Sequence, residues 1–243
     1  RHPMKTRIIL PDTDGISEAG AILRSGGLVA FPTETVYGLG ANALDATATK
    51  HIYEAKGRPS DNPMIVHVAN IDMLNGVASG VTDAQKAIMS KLWPGPITFV
   101  LHKNPAVPDV TTGGLDTVAV RWPSRREAAE IIEAAGVPIA APSANISGKP
   151  SPTTFEDVAE DMDGRIDAIV KGERTAIGIE STVLDLTSEV PTILRPGFIT
   201  KSQIEEAVDG EVRYDPSLFK KPGADDFHPK SPGMKYKHYA PKA

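Results

Sequence analysis

Short apolar segments alternate with helix-start sequences along most of this chain, and this alternation constrains the fold more than any other feature. A helix capped by Asp14 is predicted to end at Gly26 and Gly27, and a buried strand follows at 28–31. Three later helix starts carry Ser or Thr three residues before Glu or Gln, the spacing of a capping box: Thr82 with Gln85, Ser124 with Glu127, and Thr153 with Glu156. Further strands are predicted at 6–10 (an edge strand), 64–68, 97–101, 118–120, 137–141, 166–170 and 182–186. Strands that alternate with helices predict an α/β fold.

The character of the chain changes near residue 215. Residues 215–243 contain five prolines and six lysines without apolar periodicity. Such a segment buries too little apolar surface to fold alone. We therefore predict a domain at 1–214 and a proline- and lysine-rich linker or lid arm at 215–243.

Charge and cysteine content exclude several classes of function. The net charge is −5, whereas a protein that holds RNA or DNA over a broad face is usually basic. A local basic pocket for a small anion is compatible with this charge. The absence of cysteine excludes disulfides, thiolate metal sites and cysteine nucleophiles, and it fits a reducing compartment. Neither a membrane-spanning apolar run nor a secretory leader is evident, so we expect a cytoplasmic protein with no membrane partner.

Polar residues cluster directly after predicted strands, where open α/β sheets bind their ligands. Each cluster by itself also has a structural interpretation, such as a cap, a turn or surface charge. His67, for example, is equally consistent with a strand histidine whose hydrogen bonds are satisfied. Five clusters at strand ends nevertheless favour one shared ligand site, and they lie at 31–40, 56–63, 121–123, 141–148, and 180–182 with 195–197.

Two of these clusters carry groups suited to phosphate. Lys56 and Arg58 flank Gly57, and they offer a point charge and a planar fork for a phosphate group. The alternative is a solvated helix end whose cations offset the helix dipole. The segment 141–148 offers hydroxyl and amide donors suited to phosphate and ribose oxygens.

Several known catalytic patterns are missing. The sequence has no Gly-Lys-Ser/Thr phosphate loop, no His-Glu-x-x-His or His/Cys cluster for a metal, and no Gly-x-Ser-x-Gly elbow. The remaining possibility is catalysis that positions the reactants and stabilises charge, without a covalent nucleophile or a metal site built by the protein.

Six segments resemble the YrdC-type threonylcarbamoyl-AMP synthase family: FPTETVYGLGANA (31–43), KGRPSDNP (56–63), LWPGPITFVL (92–101), VAVRWP (118–123), PIAAPSANISGKPSPT (138–153) and ESTVLDL (180–186). The ending SPGMKYKHYAP (231–241) resembles the linker of the longer, two-domain members, whose second domain we expect to be absent here. The resemblance extends over nearly the whole chain in the expected order. It implies a twisted mixed β-sheet with flanking helices that enclose a basic cavity.

The resemblance also implies a reaction. Members of the family join L-threonine, bicarbonate and ATP to give threonylcarbamoyl-adenylate and pyrophosphate. A separate transferase complex then uses the adenylate to modify an adenosine of certain tRNAs. We accordingly expect Mg²⁺ to enter with ATP, no tightly bound organic cofactor, no metal site built by the protein, and no stable complex with nucleic acid.

Site residues follow from the same resemblance, position by position. The expected threonine ligands are Thr35, His67, Arg121, Ala141 and Ser181, with Arg121 on the carboxylate. The expected ATP ligands are Arg58, Asn62, Thr117, Ser143, Asn145, Ser151 and Arg195, and Lys56 and Arg58 are the expected catalytic cations.

The arm suggests a further element. Tyr236, His238 and Tyr239 form an aromatic and polar patch, which we predict to close over the nucleotide as a lid. The alternative is a linker without such a role.

Two other functions compete with synthesis of an adenylate. One is a module that binds structured RNA without catalysis, which the acidic charge and the aromatic content of 5% disfavour. The other is the carbamoyl-transfer domain of hydrogenase-maturation proteins, whose cysteine-rich zinc segments this chain lacks.

Overall fold

The structure is a computed structural model, and it describes residues 4–57 and 62–219. Its helices are α1 (Thr13–Arg24), α2 (Ala46–Lys56), α3 (Ile71–Val77), α4 (Asp83–Leu92), α5 (Asp109–Thr112), α6 (Arg126–Ala135), α7 (Phe155–Met162) and α8 (Lys201–Val208). Its strands are β1 (Arg7–Ile9), β2 (Val29–Pro32), β3 (Tyr37–Asn42), β4 (Ile65–His67), β5 (Ile97–His102), β6 (Thr117–Arg121), β7 (Ile139–Ala140), β8 (Ala168–Val170), β9 (Thr182–Asp185), β10 (Thr192–Arg195) and β11 (Arg213–Tyr214). A 3₁₀ turn at Pro216–Phe219 ends the described part.

The strands in the described residues form one mixed sheet in the order β1-β8-β2-β3-β7-β4-β6-β5-β9-β10-β11. The sheet contains both parallel pairs, such as β4 with β6, and antiparallel pairs, such as β5 with β6. The α/β class and the mixed sheet with flanking helices are confirmed, and so is the edge position of β1.

The main core lies between the sheet and its helices. It includes Phe31, Phe99 and Leu101 from strands and Leu23 and Ile131 from helices. A smaller cluster covers part of the opposite face and contains Val100, Ala119, Val183 and Leu194 with Ile65 packed against it. Side chains alternate between the two faces of a strand. His67 and Arg121, each two positions after Ile65 and Ala119, therefore lie on this second face.

Three of the predicted helix starts were wrong in detail. α1 is capped by Asp12, whose side chain accepts from Gly15 N, and Asp14 lies in the first turn. α7 is capped by Thr154 rather than Thr153. α6 has no side-chain cap, since its N-cap residue is Arg125; the Ser124 hydroxyl, one position earlier, donates to Glu34 Oε2 at 2.7 Å. The capping box of Thr82 with Gln85 is confirmed.

The sequence prediction also missed strands β3, β10 and β11. β3 overlaps the cluster at 31–40, which looked like a turn because of its glycines. Gly40 lies where a Cβ would approach Phe31 to 2.7 Å, so this strand needs a residue without a side chain to pack against β2. The hairpin of β2 and β3 brings Thr33, Glu34 and Thr35 to the end of the sheet.

Candidate active site

A row of polar side chains crosses three neighbouring strands at one end of the sheet. His67 pairs with Arg121 in the parallel register of β4 and β6, and Arg121 pairs with Thr98 in the antiparallel register of β6 and β5. Residues paired in this way present their side chains on the same face. The smaller apolar cluster lies on the same face, so the polar row is next to this cluster along the strands.

Arg121 is 3% exposed and has protein partners on three nitrogens. Its Nη2 forms an ion pair with Glu34 Oε1, Nη1 donates to Thr35 Oγ1 at 2.9 Å, and Nε donates to Gly95 O at 3.4 Å. Burial lowers the pKa of the guanidinium, the Glu34 carboxylate opposes that shift, and the charge of Arg195 adds to it. A second arginine is therefore close enough to act on Arg121 electrostatically.

Arg195, the last residue of β10, is fixed by the segment that precedes β9. Its Nε and Nη2 donate to Ser181 O at 3.0 and 2.8 Å, and Nη2 also lies 3.2 Å from Ser181 Oγ. Nη1 lies 3.4 Å from the partly exposed Glu180 carboxylate. The Ser181 hydroxyl is within 2.7 Å of Thr98 Oγ1, which is fully buried. This arginine and this serine are thus held as one unit.

Lys56 reaches the site from the end of α2. Gly57 ends the helix in the left-handed conformation, with φ of 64°, and the Lys56 ammonium donates to Ser143 O. Ser143 belongs to the loop after β7, where its hydroxyl donates to Asn145 Oδ1 at 2.5 Å. The Asn145 amide nitrogen donates to Ile146 O and Lys149 O at 2.9 and 2.8 Å. Asn145 therefore organises this loop.

His67 is 3% exposed, and its Nδ1 lies 3.1 Å from Ile65 O. Burial, reinforced by the positive charge of Arg121, lowers the pKa of the imidazole to about 3. The ring is therefore neutral at neutral pH. A neutral imidazole can donate or accept a hydrogen bond, but it adds no charge to the site.

One cavity of about 220 Å³ is lined by Lys56, His67, Arg121, Ser143, Asn145, Ser181 and Arg195, whereas Glu34 and Thr98 are not part of its lining. Among the described residues that line it, Lys56, Arg121, Lys149 and Arg195 are cationic and Glu180 is anionic. Three of the cations are at most 7% exposed: Lys56, Arg121 and Arg195. Buried cations attract an anion far more strongly than solvated ones, because little water screens them.

Eleven predicted site residues line this cavity: Thr35, Lys56, Asn62, His67, Arg121, Ala141, Ser143, Asn145, Ser151, Ser181 and Arg195. The side-chain amide of Asn62 is 3% exposed, and neither its oxygen nor its nitrogen finds a hydrogen-bond partner among the described residues. Such a buried amide is available to a ligand. The structure therefore brings together segments that are far apart in the sequence.

Thr117 does not line the cavity, because it begins β6 whereas Arg121 ends it. Four strand residues correspond to roughly 13 Å. Arg58, Tyr236, His238 and Tyr239 lie outside the described residues, so their predicted roles stay predictions.

Sequence reasoning missed several groups that build the site. Glu34 stands inside the segment FPTETVYGLG, but nothing there indicated that it would pair with Arg121, 87 positions along the chain. Thr98 looked like an ordinary strand residue. Lys149 lies in the segment after β7, and its ammonium pairs with Asp161 at 3.0 Å.

Two other kinds of feature are absent from the described residues. Within residues 4–57 and 62–219, no cluster of His, Cys, Asp and Glu is arranged to hold a metal ion. In the same residues no helix is both long and apolar enough to span a bilayer.

Fold and cavity together define an α/β protein with a polar cavity at one end of its sheet, lined by three buried cations among the described residues. Residues 21–197 match the model of the Sua5_yciO_yrdC family, which is described as "Telomere recombination". This match includes most of the sheet and every described segment that lines the cavity. The chain belongs to the Sua5/YciO/YrdC family.

Individual relatives are similar over most of this chain. The threonylcarbamoyl-AMP synthase of Pyrococcus abyssi is 54% identical over 225 residues, which are 93% of this chain and 65% of that protein. The threonylcarbamoyl-AMP synthase of Bacillus subtilis is 53% identical over 229 residues, which are 94% of this chain and 65% of that protein. A crystal structure of P. abyssi Sua5 complexed with L-threonine has a TM-score of 0.90 and 51% identity, and the match covers 99% of this chain and 70% of that one.

The chain thus spans about two thirds of the length of these curated relatives, 65% in both cases. Residues 199–243 match a second family model, "Threonylcarbamoyl-AMP synthase, C-terminal domain". The two family models adjoin near residue 198, whereas we predicted a division after residue 214. That division stays a prediction.

Proposed function

We propose that this protein is a threonylcarbamoyl-AMP synthase. It joins L-threonine, bicarbonate and ATP to form threonylcarbamoyl-adenylate and pyrophosphate, and it works in the cytoplasm. The observation that carries the proposal is the convergence of Lys56, Arg121 and Arg195, from three distant segments, on one cavity. Relatives with this name that are more than half identical support the reaction.

The threonine end of the site is the row on β4, β6 and β5. Arg121 binds the carboxylate, since arginine offers two parallel N–H groups to a carboxylate. Thr35 and Ser181 are within hydrogen-bond distance of the arginines and add hydroxyl contacts. The neutral His67 contacts the amino acid as a hydrogen-bonding group, which avoids repulsion of an ammonium. The complex of P. abyssi Sua5 with L-threonine supports such a subsite, since that relative binds the same amino acid.

The nucleotide end lies between Lys56, the loop after β7 and Arg195. Ser143, Asn145 and Ser151 line this part of the cavity, as does Asn62, whose amide has no hydrogen-bond partner among the described residues. Lys56 and Arg195 contact phosphate oxygens as cations already fixed by protein carbonyls. Cations that need no rearrangement stabilise charge most effectively during a reaction. Arg58 lies outside the described residues, and it is assigned to the same end by the resemblance and by its place beside Lys56 in the sequence.

The reaction then needs little covalent chemistry from the protein. The threonine amine adds to bicarbonate to give a carbamate, with loss of water. A carbamate oxygen attacks the α-phosphorus, and pyrophosphate leaves from the opposite side. Holding the carbamate next to the phosphorus removes the entropic cost of a bimolecular encounter. Lys56 and Arg195 stabilise the negative charge that gathers on the phosphoryl and leaving oxygens.

Mg²⁺ fits this site as a companion of ATP rather than as a resident ion. Glu180 is the one carboxylate among the described residues that line the cavity, and the described residues form no metal cluster. When bound, Mg²⁺ neutralises phosphate charge. The product passes to a tRNA threonylcarbamoyl transferase complex, and this chain needs no stable contact with nucleic acid.

Measuring pyrophosphate release from ATP, with threonine or bicarbonate omitted in turn, tests the proposal. Release should require both, and mass spectrometry should detect the adenylate. Arg195→Ala should reduce release strongly, whereas Arg213→Ala, which removes an exposed arginine paired with Glu211, should not. Release without threonine, or without formation of the adenylate, would reject the function.

A further inference from the structure

Glu34 is a buried carboxylate that does not line the cavity but contacts a residue that does. It is 9% exposed. Its Oε2 accepts two hydrogen bonds from Ser124, from the backbone N–H at 2.8 Å and from the hydroxyl at 2.7 Å. Its Oε1 forms the ion pair with Arg121. The carboxylate is thus fixed on one side and presents its other oxygen to the arginine.

The backbone of Glu34 is anchored as well. Glu34 O accepts from Ile177 N at 3.0 Å, and the neighbouring Thr35 O accepts from Gly178 N at 2.9 Å. Glu34 therefore links the β2–β3 hairpin, the start of α6 and the segment that leads to Glu180 and Ser181. A change in its side chain is transmitted first to Arg121, because the links to residues 177 and 178 are made by the backbone.

Arg121 keeps binding capacity after its protein contacts are counted. A guanidinium has five N–H groups. Nη1 uses one of them on Thr35, Nε uses its own on Gly95, and Nη2 faces Glu34. At least one N–H on Nη1 and one on Nη2 thus remain for a ligand. These two groups are the free edge of the guanidinium, and a carboxylate can accept from two N–H groups of one arginine.

We propose that Glu34 is a positioning residue for substrate: through Arg121 it fixes the plane of the guanidinium so that the free edge faces the α-carboxylate of threonine. This inference rests on the proposed function, since it presumes that the amino acid binds at Arg121. Glu34 itself does not contact the substrate.

A simple counter-ion would behave in the opposite way. If Glu34 only neutralised Arg121, its loss would leave an uncompensated buried cation, and a carboxylate ligand would then bind more tightly. If Glu34 orients Arg121, its loss lets the guanidinium turn away from the ligand, and binding weakens. The sign of the change in threonine affinity therefore separates the two roles.

The test compares Glu34→Gln with the unaltered 243-residue chain by calorimetric titration of L-threonine and by steady-state kinetics. The dissociation constant and the KM for threonine should rise about tenfold, which is the loss expected for one misplaced charge-assisted contact. The KM for ATP should change by less than about twofold, because Glu34 contacts no residue of the nucleotide end in the described part of the chain. A general loss of structure would instead move both constants.

Glu127→Gln is the matched control. Glu127 is also 9% exposed and pairs with Arg125 through Oε2 at 2.8 and 3.0 Å, but neither residue lines the cavity. It should lower the thermal midpoint without changing the KM for threonine. Ser124→Ala is a milder variant in case Glu34→Gln does not fold, because the backbone N–H of residue 124 still holds Glu34. It should raise the KM for threonine about two- to threefold.

Unchanged or tighter threonine binding in Glu34→Gln, with the adenylate still formed, would overturn the inference and leave the proposed function intact. An equal rise of the KM in Glu127→Gln would also overturn it. If the unaltered chain neither binds threonine nor forms the adenylate, the proposed function fails and this inference fails with it.

Discussion

Acidification should destabilise this protein through His67 in particular. The pKa of this imidazole is lowered to about 3 from an ordinary value of 6.5. As the pH falls below the ordinary value, the unfolded chain binds a proton at this residue before the folded chain does. Linkage therefore favours the unfolded state, and the contribution of His67 to stability is lost progressively as the pH falls from 6.5 toward 3.

The size of the effect follows from the two pKa values. Between pH 8 and pH 5 the free energy of unfolding should fall by about 2 kcal/mol from this residue, and the full loss near pH 3 is about 5 kcal/mol. The pKa is lowered because the ring is buried and because the neighbouring Arg121 repels a second positive charge. Solvent screening does not reduce this loss, because the ring is buried.

The assay is urea unfolding at pH 8 and pH 5 for the unaltered chain and for His67→Asn. Asparagine keeps a nitrogen near the position of Nδ1, which contacts Ile65 O, but it does not titrate. The difference between the two pH values should shrink by about 2 kcal/mol in the variant. Equal pH differences in both proteins would refute the reasoning. His102→Asn, at an exposed histidine of β5, serves as the control and should behave like the unaltered chain.

Three further predictions concern other contacts. Thr98→Val should raise the KM for threonine and cost about 1–2 kcal/mol in urea unfolding, because Ser181 loses its buried partner, and Thr98→Ser should restore both values. Gly20→Ala should destabilise the fold by about 1–3 kcal/mol in urea unfolding, since a Cβ would lie 2.7 Å from Ala134 on α6; greater stability would contradict this close packing. Arg58→Ala should reduce formation of the adenylate far more than it reduces the free energy of unfolding, and equal losses would assign Arg58 a structural role.

Local patterns predicted the elements that depend on local interactions. The capping box of Thr82 with Gln85 was correct, because both of its hydrogen bonds lie within one helical turn. The same pattern failed at Ser124, whose backbone N–H and hydroxyl donate to the Glu34 carboxylate of a distant hairpin. β3 was missed because glycines are typical of turns. In this strand the glycines instead allow two strands and a side chain to pack closely.

The sequence by itself determined the α/β class, the strand-end position of the polar clusters, and the presence of most of the groups that line the cavity. The family resemblance assigned roles to those groups. Only the tertiary structure decided that Glu34 pairs with Arg121, that Thr98 supports Ser181, and that His67 is buried beside a cation. These contacts join residues far apart in the chain, and they form because strand order and register bring the residues together. Neither the spacing of residues nor the composition of the chain predicts that arrangement.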